Sequence, residues 1–430
     1  LDSAKQAMDS MKFSIITPEH DKNNLPFLIE LYDSILEQTY SDWEWILYLN
    51  NNCCLADIPE IIRKNPKVTI YEDDSDRKEV GYMKNKAFHL GTGDILVEVD
   101  HDDLITPDCL EELYKAYKDS PEVGFVFSDN ATYKMTGEFL PYSSAHGWDY
   151  TEFKWKNKNL IAMKSFPATS HSLGYIWYAP DHVRTWRKEV YVSIGGHNPS
   201  LSICDDQDLM ARTYVVTEMK KVDKPLYIYR VTGKNTWLER NADIQQTTRN
   251  MFDEHIRSLA ERDADKKGLK KIDIGGGING YPGYETVDLR KTADIVADLN
   301  EGIPLPDNSV GVVNAHHILE HLKDPIKSMR EIHRVLCHGG WAFIEVPSTE
   351  GKGAFQDPTH VSFWNDNSFL YYTDANMAEF IENKDIRFQQ YKKTNYYPNK
   401  RMRELDVLVT CVVLVAIKDE TPRFPGILSI

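Results

Sequence analysis

Strand-like and helix-like runs alternate along this chain, pause, and then start again, and that rhythm constrains its fold more than any other feature. Residues 13–17, 44–49, 68–71, 95–99 and 123–128 are short apolar runs of strand length. Between them, residues 25–38 place Leu28, Leu31, Ile35 and Leu36 at helical spacing. Residues 81–90 and 107–118 read as further helices, the second with Pro107 at a favoured first-turn position. This alternation predicts a mostly parallel sheet flanked by helices, with ligands at the carboxyl ends of the strands. A second strand–turn–helix series starts at Lys271, after a polar helical stretch that ends in Lys266-Lys267-Gly268. The expected fold class is therefore α/β in two domains, residues 11–240 and 268–430, joined by a helical linker over 241–267. A length of 430 residues is ample for two such cores.

Composition removes some functions. A net charge of -16 argues against a protein that binds nucleic acid by neutralising phosphates. It leaves room for a nucleotide-sugar, because a metal ion can supply positive charge locally. The six cysteines show neither paired metal-ligand spacing nor a disulfide framework, so a reducing cytoplasm is the default. No stretch has the length of a membrane-spanning helix, and the apolar run 407–417 is short and β-branched, as a buried strand would be. Residues 1–10 lack the apolar core of a signal peptide, and Met11 is the expected natural start. Residues 133–187 are irregular and aromatic, with Tyr142, Trp148, Trp155, Phe166, Trp177, Tyr178 and Trp186 among them. They read more readily as a packed, loop-rich half-domain than as a platform for stacking sugars.

At the end of the run 95–99 stands Asp100-His101-Asp102-Asp103. Carboxylates this close repel one another and favour a divalent cation, which can bridge a diphosphate and offset charge on a leaving group. The plainer alternative is an acidic turn in which Asp103 and Thr106 cap the next helix. The cluster is one of an ordered set that includes Phe13-Ser14-Ile15-Ile16-Thr17-Pro18, Ser34 to Tyr40, Asn85, Gly91-Thr92-Gly93-Asp94, Gly195-Gly196-His197 and Asp205-Asp206-Gln207-Asp208. From about Lys12 to Arg230 the chain resembles the family 2 glycosyltransferases, which have the GT-A fold. The resemblance implies that Thr17, Pro18 and Glu19 lie near the base of a UDP-linked sugar donor. It places Asp100 and Asp102 toward the ribose and a Mn or Mg ion, with Asp103 as the other candidate ligand. It makes Asp206 the base that deprotonates the acceptor hydroxyl in an inverting transfer; acids favouring a helix N-terminus are the alternative for the trio Asp205, Asp206 and Asp208. Two departures stand out. Asn50-Asn51-Asn52 replaces the family's acidic pair, so Asn50 is expected at the base. Tyr229-Arg230 is followed by Val231-Thr232-Gly233, with no histidine to act as a further metal ligand.

The second series opens with Asp273-Ile274-Gly275-Gly276-Gly277-Ile278-Asn279-Gly280, which fits G-x-G-x-x-G and raises a nicotinamide dehydrogenase. Asp273 stands where dinucleotide-binding strands are apolar, and the next acid, Asp288, comes early. With Ala297-Asp298-Leu299, residues 303–309, His317 to Leu322, residues 331–336 and Gly339-Gly340, this segment instead resembles class I S-adenosylmethionine-dependent methyltransferases. The resemblance implies a cofactor site containing Asp273, Gly275, Gly277, Asp288 and Asp298, with Asp288 on the ribose and Asp298 near the adenine. His317-Ile318-Leu319-Glu320-His321 also reads H-x-x-E-H, an inverted zinc-protease pattern. The surrounding strand–helix order accounts for it, and packing beside the cofactor is the expected role of these histidines. His360, in Gln356-Asp357-Pro358-Thr359-His360, is a candidate general base toward a sugar hydroxyl, with Asp357 orienting it or binding metal; a proline turn with capping side chains is the alternative.

These readings converge on a bifunctional glycan-building enzyme with a nucleotide-sugar donor, a glycan acceptor and S-adenosylmethionine as methyl donor. It is expected in the cytoplasm, peripheral to a membrane where the acceptor is lipid-linked, with no integral membrane segment and no nucleic-acid partner. The rival reading keeps only the methyltransferase active and makes the first domain a degenerate glycan- or nucleotide-binding module.

Overall fold

A computed structural model describes residues 10–50, 53–135, 141–144, 147–176, 179–383 and 385–420. Asn51, Asn52, Trp177, Tyr178 and the opening residues 1–9 lie outside the described residues. The chain forms two compact units, Leu1–Leu259 and Ala260–Ile430, which divide within one helix, Asn241–Lys266. Among the described residues no helix is long and apolar enough to cross a membrane.

The first unit contains β1 (Phe13–Glu19), β2 (Trp43–Leu49), β3 (Val68–Glu72), β4 (Ile95–Glu98), β5 (Leu104–Ile105), β6 (Val123–Lys134), β7 (Tyr150–Trp155), β8 (Lys158–Met163), β9 (Arg184–Arg187) and β10 (Glu218–Val231). They join in the order β3-β2-β1-β4-β9-β6-β10-β5, with the β7–β8 hairpin attached to β6. The pairs β2–β3, β1–β2 and β1–β4 are parallel, whereas β9 runs antiparallel to both β4 and β6. Both faces of the sheet are covered, which is why every residue of β1 is buried. Side chains alternate between the faces. Phe13, Ile15, Trp45 and Leu47 pack with Leu28, Leu31 and Ile35 of helix Leu25–Leu36 and with Leu110 and Leu113 of helix Cys109–Asp119. Ile16, Ile46 and Tyr48 belong to the other core, with Met83 and Phe88 of helix Val80–Leu90 and Leu209 and Tyr214 of helix Asp205–Val216.

The region 133–187 is more regular than its sequence suggests. It supplies β7, β8 and β9, and Trp155, Phe166 and Trp186 are buried in packing roles. β9 escapes a pattern reading because two of its four residues are arginines. Arg184 is buried on carboxylates, and Arg187 donates to the carbonyls of Val123 (2.8 Å) and Tyr117 (3.2 Å).

The second unit contains β11 (Lys270–Ile274), β12 (Glu285–Asp288), β13 (Ile295–Val296), β14 (Val310–His316), β15 (Leu336–Pro347), β16 (Phe388–Tyr396) and β17 (Val409–Ala416). Their order is β13-β12-β11-β14-β15-β17-β16. The first five are parallel; β17, the apolar run near the end of the sequence, is inserted antiparallel beside β15. Strand order reverses between β11 and β14, which opens a crevice at their carboxyl ends. The helix expected after the glycine turn is absent: residues 275–284 are loop and turn. Gly280, Pro282 and Gly283 within ten residues account for this. Likewise, residues 317–322 contain only the short 3-10 turn Leu319–His321 in place of the expected helix.

Candidate active sites

In the first unit the acidic cluster leaves the carboxyl end of β4, beside β1, and its members diverge. Asp103 is buried; it accepts from Tyr227 Oη (2.8 Å) and from the backbone N–H of Arg230 (2.7 Å), both on β10. Burial and the neighbouring Asp102 and Asp100 push its carboxyl well up. Both of its oxygens accept hydrogen bonds from β10, whereas Asp102, among the described residues, has no such partner on that strand. Burial, with Asp100 beside it and against the pull of His101, also raises the Asp102 carboxyl. Asp100 is partly exposed, and Lys84 Nζ stands 3.6 Å from its Oδ1.

Sequence reasoning missed the groups that bind this cluster to Asp206. Glu98, fully buried on β4, pairs with Lys84 and lies 3.9 Å from Arg184. Arg184 Nη1 donates to Asp206 Oδ2 at 2.8 Å. Asp100, Lys84, Glu98, Arg184 and Asp206 are thus one charged network. Burial opposes the charge on Lys84, but Asp100 and Glu98 outweigh it and keep the ammonium protonated. Burial likewise opposes charge on Asp206, but Arg184 and then Lys84 prevail and hold it below the ordinary carboxylate range. Its neighbour Asp205 is pushed up by burial, while burial holds His197, 3.7 Å away, neutral at about 3. Asp208 pairs with Arg212 and His255, a fold role. His182, also missed, stacks on Tyr227 with its Nε2 3.9 Å from Asp100.

On the neighbouring strand β1, Thr17 is buried and accepts from Trp45 Nε1 (3.0 Å). Pro18 follows it in the buried strand β1. Glu19 Oε1 accepts from the N–H groups of His20 and Asp21 (both 2.8 Å), and its Oε2 is buried without a partner. Asn50 is buried and donates to Asp73 Oδ2 (3.0 Å), which also accepts from Tyr48 Oη (2.8 Å). The carboxylate beside Asn50 therefore comes from the end of β3. Its sequence setting, Glu72-Asp73-Asp74, looks like an ordinary solvated run.

In the second unit Asp273 is buried at the end of β11, accepting from Tyr281 N–H (2.7 Å) and Asn314 Nδ2 (2.8 Å). It shapes the glycine loop from behind. Asp288 accepts from Gly277 N–H (3.1 Å) and Arg290 N–H (2.9 Å), fixing the loop to the end of β12. Gly275 has φ +74°, and a Cβ there would lie 2.6 Å from Ile318, so the position requires glycine. Gly277, at φ +57°, also lies in the left-handed region. Asp298 accepts from the backbone and side chain of Asn300, and these bonds lower its carboxyl. His360 is nearly buried; its Nδ1 donates to the carbonyl of Ala354 (2.8 Å), so that carbonyl, not Asp357, orients the ring. Among the described residues two trios of side chains suit a metal ion, Glu19–His20–His101 and Glu320–His321–His360.

Residues 14–174 match the model of Glycosyl transferase family 2, and residues 280–344 match a family model described as Methyltransferase domain. The chain carries a glycosyltransferase domain and a methyltransferase domain. The first match includes the acidic cluster but stops before Arg184 and Asp206; the second begins just past the glycine turn. The chain is 23% identical over 253 residues to the O-antigen biosynthesis protein RfbC of Myxococcus xanthus, covering 58% of this chain and 18% of that protein. It is 26% identical over 246 residues to the glucosyl-dolichyl phosphate glucuronosyltransferase of Haloferax volcanii, covering 54% and 68% respectively. Among solved structures, S. aureus TarS 1-349 aligns with TM-score 0.42 and 16% identity over 59% of this chain and 72% of that one. The chain therefore spans less than a fifth of RfbC, and both curated relatives match only slightly more than half of the chain.

Proposed function

We propose that the glycosyltransferase domain moves a sugar from a UDP-linked donor to a glycan hydroxyl with inversion, and that the methyltransferase domain methylates a glycan hydroxyl with S-adenosylmethionine. The observation that carries the first half is the charged network that ties Asp100 to Asp206 through Lys84, Glu98 and Arg184. Its continuity supports a reading in which donor-side carboxylates and an acceptor-side base act together. Asp102, raised by burial and by Asp100, suits a divalent cation, Mn or Mg, that supplies positive charge against a diphosphate. Asp206 stays ionised and accepts the proton of the incoming hydroxyl as its oxygen bonds the anomeric carbon and the bond from that carbon to the departing UDP oxygen breaks. Glu19, Asn50 and Asp73 border the place of the base.

For the second half, the positive-φ glycines and Asp273 form a cradle that a Cβ would fill, which suits the methionine part of S-adenosylmethionine. Asp288 and Asp298 border it toward the ribose and adenine. Fusion raises the effective concentration of one site for the product of the other. The curated relatives favour polysaccharide or lipid-linked acceptors, and with them a cytoplasmic enzyme peripheral to a membrane. The degenerate-domain reading drew on Asn50, and Asp73 beside it weakens that reading.

The deciding experiment measures sugar transfer from a panel of UDP-sugars with Mn, and labelled-methyl transfer to the same acceptors. Asp206→Asn should lower sugar transfer by about 10²–10⁴-fold and leave S-adenosylmethionine binding intact. Sugar transfer that persists in this variant refutes the assignment.

A further inference from the structure

In the methyltransferase domain two segments meet beyond the carboxyl ends of β14 and β15. The N–H groups of Val361 and Ser362 donate to the carbonyl of Glu320 (2.8 and 3.0 Å), and Ser362 Oγ donates to that of Leu319 (2.8 Å). This brings Glu320, His321 and His360 together, one ligand atom of each lying within 4.8 Å of the others. Glu320 is 2% exposed, and its Oε2 is buried with no hydrogen-bond partner. A buried carboxylate oxygen left unmet is costly and calls for a partner. The two imidazoles are prepared in the same way. His360 Nδ1 lies 2.8 Å from the carbonyl of Ala354 and His321 Nδ1 3.3 Å from that of Thr359. A carbonyl only accepts, and the Thr359 hydroxyl, 3.2 Å from His321 Nδ1, is itself directed at Asp357 Oδ1 (2.7 Å), so each Nδ1 is a donor and each Nε2 is the nitrogen outside that bond, as in metal-ligating histidines. The rings stand edge to face, 4.9 Å apart.

We propose that Glu320, His321 and His360 bind a divalent transition metal, zinc foremost. Two imidazole nitrogens and one carboxylate oxygen are a zinc donor set that leaves a position for water or a hydroxyl oxygen. Zinc bonds of about 2.0–2.1 Å put ligand atoms about 3.3 Å apart, so the trio, already within 4.8 Å, has at most about 1.5 Å to close on binding. This is not the H-x-x-E-H arrangement. His317, at φ +54°, faces Glu320 Oε1 at 3.7 Å, and the second histidine ligand comes from 39 positions beyond His321. Ile318, which covers Gly275, adjoins the trio in sequence, so the metal borders the cofactor crevice. The proposal rests on the methyltransferase reading only for its use, which is to hold the acceptor oxygen. A lone pair given to metal cannot take a proton, so His360 is a ligand here and not the base.

The test uses the full chain, freed of metal with a chelator and titrated with Zn²⁺ by calorimetry and with Co²⁺ by visible absorption. One zinc equivalent is expected, weakened at least tenfold in His321→Ala and in His360→Asn, with an unchanged melting midpoint. His321 is the more exposed of the two and the safer variant for folding. His101→Ala, which disrupts the other trio, should leave that equivalent in place. Zinc binding unaltered in both His321→Ala and His360→Asn, absent from the unaltered chain, or lost in His101→Ala overturns the proposal. Zinc binding as expected in a chain that fails to bind S-adenosylmethionine would refute the methyltransferase reading and leave the metal site standing.

Discussion

Replacing Lys84 by methionine tests the network on which the glycosyltransferase assignment depends. Lys84 is the closest cation to Glu98, whose side chain is fully buried on β4. Truncating one partner of a buried ion pair costs about 3–5 kcal/mol, because the other charge is left without compensation. Arg184, 3.9 Å from Glu98, remains as a weaker partner and favours the lower half of that range. In a unit of this size each kcal/mol moves the melting midpoint by about 2–4 °C, so Lys84→Met should melt roughly 6–16 °C lower. Glu98→Gln in the same background removes the stranded charge and should restore at least half of the loss. The pH dependence has a defined sign. Glu98 is held below its ordinary value in the folded protein, so its stabilisation is present above that ordinary value and fades as pH falls toward the depressed one. The gap between the native chain and Lys84→Met must therefore shrink on acidification. Scanning calorimetry at pH 8 and pH 4 measures it, with S-adenosylmethionine added to mark the transition of the other domain. A drop under about 2 °C, or a double variant no more stable than Lys84→Met, refutes the reasoning.

Arg184→Met should move the acid limb of sugar transfer upward by about 1–3 pH units, since Arg184 is the main force holding Asp206 ionised against burial; an unmoved limb in kcat/KM against pH contradicts this. Thr17→Val strands Trp45 Nε1 and should cost about 1–3 kcal/mol in urea melts, with the KM for nucleotide-sugar within about twofold; a large KM change would return Thr17 to the binding site. Gly275→Ala imposes a left-handed conformation worth about 1–2 kcal/mol of strain, in addition to the Ile318 clash. S-adenosylmethionine affinity measured by calorimetry should then fall at least about tenfold while sugar transfer is unchanged.

What the sequence displayed of this fold depended on how each element is buried. Helix Leu25–Leu36 was legible because its buried apolar residues recur at helical spacing, and strand β1 because Phe13, Ile15 and Ile16 stand together in a short run. Strand β9 was not, since its arginines are neutralised by carboxylates and carbonyls from distant segments. Asp102 and Asp103 are equivalent in sequence; only β10, more than a hundred residues later, separates them by engaging Asp103. Asp73 and Lys84 lie in charged stretches that look solvated, and their roles come from long-range contacts. The missing helix after Gly277 was signalled by Gly280, Pro282 and Gly283, and the strength of the glycine motif masked those breakers.

The hydrogen bonds from Val361 and Ser362 to the carbonyl of Glu320 have a bearing on how the methyltransferase domain can change. They lock the segment after β14 and the segment after β15 into a single frame, so neither can be remodelled alone without breaking the register of the other. Any new chemistry here would have to arise through matched alterations on both sides, or through side chains that hang from the frame without supporting it.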